Sequence, residues 1–265
     1  MKKKQLFASA AVLAMLSAGG ASTATTVLAA EYDDATHAST EAKVTFLEDD
    51  DTGTIVDPDN PDGGGDGDGD GGGVDPVDPT NPNGAELMIS YASNLNFGVQ
   101  SKQATSWNAL ADKVYEDKEA ETTRDVTPFV ATKDSRGTDR KGWTLTAKQD
   151  GDFKDGKGAV LKGAEISLSG LRYAEVSGAP KAVSAETITL GTDAQPISTA
   201  GTDEGIGSWS LALGNLQDGV QQGEDGEEAV KTTDGVTLSV PSTSAKNTGT
   251  YSTTVTWELS ADPTV

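Results

Sequence analysis

Residue types that carry out catalysis are scarce in this chain, whereas residues that bind by stacking recur at a fixed spacing. Cysteine is absent, and the single histidine, His37, lies in a polar stretch near the N-terminus. A Ser-His-Asp or Cys-His mechanism therefore lacks a plausible base, and zinc lacks the ligands it usually draws on. Asp and Glu total 42, but glycoside hydrolysis needs two carboxylates facing each other across a cleft. The acids instead gather in stretches of turn composition, such as Asp150, Asp152 and Asp155, and Glu224-Asp225-Gly226-Glu227-Glu228. Solvated loops account for them. The expectation is a protein that is not an enzyme and carries no cofactor and no metal.

The recurring spacing is Trp-x-Leu. It occurs as Trp143-Thr144-Leu145, Trp209-Ser210-Leu211 and Trp257-Glu258-Leu259, which uses three of the four tryptophans. In an extended chain, residues i and i+2 point to the same face, so each segment sets a large aromatic beside an aliphatic. Such a face fills a β-sheet core, or else Trp143 and Trp257 meet on the surface as a platform for sugar rings or a protein partner. Just before the first motif, Asp134-Ser135-Arg136-Gly137-Thr138 suits a turn. There Asp134 pairs with Arg136 and Gly137 supplies a special backbone angle. The alternative makes Arg136 a contact for a ligand carboxylate or phosphate.

The elements that must position these residues follow from composition. Met1-Lys2-Lys3-Lys4, an apolar run from Leu6 to about Leu16, and small residues up to Ala30 form a secretory signal peptide (1–30), too short to span a membrane. Residues 31–48 hold a polar stretch and a first short strand around Val44-Thr45-Phe46. From Glu48 to Gly84 there are twelve acidic residues, no basic ones, and dense Gly and Pro, the composition of a self-repelling loop or linker (49–84). Within it, Asp66-Gly67-Asp68-Gly69-Asp70-Gly71 matches the start of a calcium loop. The twelfth position, which must supply a bidentate Glu, is Val77, so plain linker is the better description.

From residue 85 to 265 short apolar segments alternate with Gly, Asn, Asp and Pro. The pattern stands out in 126–131, 143–147, 164–168, 188–190, 209–213, 236–240 and 251–259. This predicts an all-β fold: a single β-sandwich-like domain with a long acidic Pro/Gly-rich loop near its N-terminus. Ser106 to Ala120 has room for a helical turn, with Trp107, Leu110 and Val114 at helical spacing. Without disulfides, such a domain depends on its own core. The net charge is −22, and removal of residues 1–30 takes away three lysines and no acid, giving −25. That charge argues against nucleic acid and anionic lipid as partners.

Taken in order, these pieces resemble a known family. Ser93-Asn94-Leu95-Asn96-Phe97-Gly98, the Asp134 to Thr138 turn with Gly142-Trp143-Thr144-Leu145, Gly205-Ile206-Gly207-Ser208-Trp209 and the final Trp257-Glu258-Leu259 make the chain similar to WxL-domain surface proteins of low-GC Gram-positive bacteria, of the enterococcal and lactobacillar kind. The resemblance covers essentially the whole chain after the signal peptide. It implies a secreted, β-rich protein that attaches non-covalently to the cell wall, with peptidoglycan as ligand and Trp143, Leu145, Trp257 and Leu259 as motif positions. The absence of a Leu-Pro-x-Thr-Gly sorting motif fits non-covalent retention. It equally allows a different role, as a subunit of a surface assembly whose domain binds another surface protein rather than glycan.

Overall fold

The computed structural model describes residues 31–32, 36–39, 42–45, 47, 51–60, 72–137, 140–224 and 226–261. The signal-peptide segment and the Asp66–Gly71 loop lie outside these residues. The chain divides into two units, 1–47 and 48–265. In the first, β1 (Glu31–Tyr32) pairs antiparallel with β2 (Ala38–Ser39), and the His37 ring lies 3.1 Å from the Thr36 hydroxyl. The strand expected around Val44 is not formed. Residues 42–45 belong to no strand, and Val44 is 72% exposed; Phe46 lies outside the described residues. One valine with nothing to bury against cannot offset the loss of backbone freedom.

The second unit is all-β, with no helix among the described residues. Its strands, numbered in chain order, form small antiparallel sheets. One runs β12 (Leu171–Arg172), β16 (Gly207–Leu213), β8 (Phe129–Asp134), β4 (Leu87–Ala92). A second runs β13 (Lys181–Ala182), β15 (Gln195–Ala200), β9 (Trp143–Gln149), β20 (Val255–Ala261). A third runs β14 (Thr187–Thr189), β11 (Glu165–Ser169), β18 (Gly226–Ser239), β17 (Leu216–Gly223), with β5 (Ser106–Leu110) also on β18. β3 (Asp75–Pro76), β6 (Asp112–Asp117) and β7 (Thr122–Val126) make a fourth, and β10 (Lys154–Asp155) pairs β19 (Tyr251–Ser252). The expected pair of facing sheets is thus divided among several smaller ones. The helical turn expected from Ser106 is replaced by β5 and β6: Trp107 pairs opposite Leu238 and Val114 opposite Arg124. Strand partners override a spacing that is compatible with either period.

The main core takes side chains from the first three of these sheets, among them Leu145, Ile166, Ile197, Leu211 and Val236, all at most 2% exposed. Burial of one such side chain stabilises by roughly 1.5–3 kcal/mol. A smaller core gathers Ile55, Val114, Val126 and the tilted pair Tyr91–Phe129, whose ring centroids are 4.9 Å apart. At its edge the Tyr91 hydroxyl donates to Asp112 at 2.6 Å. Burial first, and then this carboxylate, push the phenol far above its usual range.

Ile55 comes from the acidic stretch, whose flanks are docked rather than linker-like. Val74 N donates to Ile55 O at 2.8 Å and Asp57 N to Gly72 O at 2.7 Å, which closes the stretch into a loop. Its acids meet cations of the domain: Asp57 pairs with Arg124, Asp59 with Arg172 and Asp75 with Lys118. Asp59 also accepts from the backbone N and hydroxyl of Thr127, both at 2.7 Å. Composition alone registers only the repulsion; the opposite charges lie far along the chain.

Where β16 ends, Gly214 crosses Gly235 so closely that a Cβ on Gly214 would sit 2.3 Å from Gly235 N, at a φ of +87°. Gly214→Ala is expected to cost more than the roughly 1–3 kcal/mol of backbone strain alone. Asp59→Ala, which leaves the Thr127 backbone N and hydroxyl without their acceptor and removes the ion pair with Arg172, should lower stability by about 1–3 kcal/mol. Urea unfolding monitored by tryptophan fluorescence measures both.

Candidate functional site

The two outer Trp-x-Leu motifs lie on neighbouring antiparallel strands. Leu145 of β9 is directly opposite Leu259 of β20, with Trp143 opposite Ala261 and Trp257 opposite Ala147. Directly opposed residues share a face, so both motifs point inward, crossed over a central leucine pair. The tryptophans stand at opposite ends of that ladder, four residues or about 13 Å apart along β9.

Their environments differ. Trp143 and Leu145 are fully buried, whereas Trp257 and Leu259 are half-buried and pack against the same core. The exposed Trp143–Trp257 platform is therefore not formed, because Trp143 has no accessible surface. Its indole is covered by the backbone of Gly205, where a Cβ would lie 2.8 Å from Trp143 Nε1 at a φ of +68°. The third motif is likewise structural. Leu211 is buried, while Trp209 is half-buried and donates from Nε1 to Ile206 O at 2.8 Å.

Arg136 is built into the turn. It holds the buried Asp134 by two hydrogen bonds of 2.9 Å and donates to Gly142 O at 2.8 Å, anchoring the residue before Trp143. The special backbone angle belongs to Gly142, with φ +110° and Ala200 O only 2.0 Å from where a Cβ would stand. Gly137, expected to supply it, lies outside the left-handed region. Gly142 needs that angle because the chain passes tightly under β15.

Of the motif residues, Trp257 faces a groove of about 820 Å³. Residues 92–102 and 246–255 line it, together with the buried Phe153, Leu161, Ile166 and Leu238 and the half-buried Trp107 and Trp257. The walls are tied together. Lys246 Nζ sits 5.1 Å from the Trp107 ring centroid and donates to Lys102 O and Ala104 O, while Lys102 Nζ donates to Thr248 Oγ1 at 2.7 Å. Tyr251 OH accepts from Asn247 N at 3.0 Å. Behind β20, the Thr256 hydroxyl, with help from Lys148, holds the Asp150 carboxyl below its usual range. Sequence reasoning missed the groove. The alternation of exposed Asn94 and Asn96 with half-buried Leu95 and buried Phe97 was its nearest signal.

The second unit is thus an all-β body that carries a surface groove beside its second Trp-x-Leu motif. The family model for the WxL domain, surface cell wall-binding, matches residues 33–263, and the chain belongs to that family. Comparison with curated proteins and with solved structures returned no match. The protein is thus a cell-surface, wall-associated one, of a family defined by binding rather than catalysis. The matched region includes the docked acidic stretch and both outer motifs, so the domain starts well before residue 85.

The two tryptophans should separate cleanly under substitution. Trp143→Ala is expected to destabilise by about 3–5 kcal/mol, as large core truncations do. Trp257→Ala, which removes a half-buried ring, should cost no more than about 2 kcal/mol. Thermal unfolding followed by circular dichroism ranks them.

Proposed function

We propose that this protein is secreted and held on the Gram-positive wall non-covalently, with peptidoglycan as the polymer it binds and no chemical step performed on it. The observation that carries this is the combination of wall-binding family membership with a groove that presents Trp257 of the second motif. The 1–30 segment acts as the export signal, and unit 48–265 acts as one sandwich-like body, supported by the core shared among three sheets. In this reading Trp143, Leu145 and Leu259 of the ladder shape the domain, and Trp257 with the surface beside it makes the contact. A net charge of −22 gives no general attraction to an anionic wall, so attachment depends on specific short-range contacts.

The purified protein should sediment with peptidoglycan stripped of protein and secondary polymers as completely as with intact walls. Sedimentation only with walls that retain their proteins would replace this reading with the surface-assembly role. Release of soluble sugar fragments over hours of incubation would overturn the non-catalytic assignment.

A further inference from the structure

The Trp107–Trp257 groove differs from the rest of the molecule in charge. The chain carries 42 acidic residues in 265, a density that would place about four among the 27 residues lining the groove. None of the 27 is Asp or Glu, and two, Lys102 and Lys246, are cationic. An acid-free recess on a strongly acidic protein creates a local site where a neutral or anionic polymer meets no carboxylate at contact range. A ligand bearing amines would find no counter-charge there.

The shape and chemistry of the lining narrow the ligand further. The base is apolar, the aromatic on the β20 side is half-buried Trp257, and the exposed rim offers uncharged amides and hydroxyls such as Asn94, Asn96 and Thr250. Sugar rings match this arrangement: their C–H faces stack on an indole, and their hydroxyls and acylamino groups exchange hydrogen bonds with amide and hydroxyl side chains. The volume of about 820 Å³ lies in the range of sites that enclose a small ligand. Trp107 already carries the Lys246 ammonium near one face, which leaves Trp257 as the principal stacking surface.

We propose that this groove binds the sugar backbone of a wall glycan, an uncharged or anionic chain of acylated amino sugars, and not its amine-bearing peptide stems. This rests on the wall-attachment reading and assigns its site. Trp257 stacks on a ring, the rim amides select the acylamino groups, and the exclusion of carboxylates sets the charge preference.

The test uses the full mature chain with two probes: peptidoglycan whose stems have been removed by an amidase, and a soluble tetramer of β-1,4-linked N-acetylglucosamine. Because loss of the cross-linking stems leaves the glycan strands soluble, they are immobilised on beads. Expected are retention of the protein on these strands, and shifts of the Trp257 and Trp107 indole NMR signals on adding the tetramer while that of Trp143 stays fixed. Trp257→Ala should weaken binding about tenfold or more. Thr250→Asp, on the exposed rim and neutral for folding, should weaken it several-fold, and Val220→Asp on β17 should leave it unchanged. Wild-type binding to whole walls but not to stem-free glycan overturns the sugar assignment. Full binding by folded Thr250→Asp and Trp257→Ala proteins overturns the groove while wall attachment stands. Failure of the wild type on every wall preparation overturns both.

Discussion

The cross-strand pairing of Leu145 with Leu259 is the contact on which the rest of this architecture depends. β9 runs between β15 and β20, and side chains along it alternate between core and half-exposed positions. A slip of one residue would eject Trp143 and Leu145 and turn Thr144, Thr146 and Lys148 inward. Register is fixed where β9 starts: Arg136 and Gly142 set its first residue, and the backbone of Gly205 closes over the Trp143 indole. The second motif inherits its position from this ladder. With Leu259 set opposite Leu145, Trp257 falls opposite Ala147 and lines the groove.

The same sequence spacing thus serves two physical roles. On the inner strand of the ladder a tryptophan is a space-filling core residue, and on the edge strand it is half solvent-facing. Burial follows sheet position rather than motif identity. Charge is organised in the same spatial manner. Three acids of the stretch, Asp57, Asp59 and Asp75, are matched by Arg124, Arg172 and Lys118 from the domain body, so its described flanks are clamped beside the smaller core. Elsewhere acids are kept out of the groove.

The fold class was legible in the sequence because β alternation is local. The segments 143–147 and 209–213, and 164–168 apart from its first residue, lie within strands, since their apolar residues recur every second position around turn-forming residues. The division into several sheets was not legible, because it depends on which distant strands pair. Trp107 was misassigned for a related reason: its separation from Leu110 and Val114 suits a helix, and only its partners on β18 settle the matter. The docking of the acidic flanks was hidden because the neutralising cations lie 40 or more residues downstream. At the site, the sequence identified the Trp-x-Leu ladder residues and the Asp134–Arg136 pair. It missed the groove, whose walls come from two loops roughly 150 residues apart, far beyond the range of any periodic pattern.

The pairing of Trp257 with Ala147 also orders events in time. These residues are 110 positions apart, so β20 can dock only after a long intervening stretch has been made and brought close, and loop closure of that length is slow. The groove has no second wall until residues 246–255 arrive with it. A chain without that last segment would lack one whole wall of the recess, so the groove depends on contacts that close over more than a hundred residues.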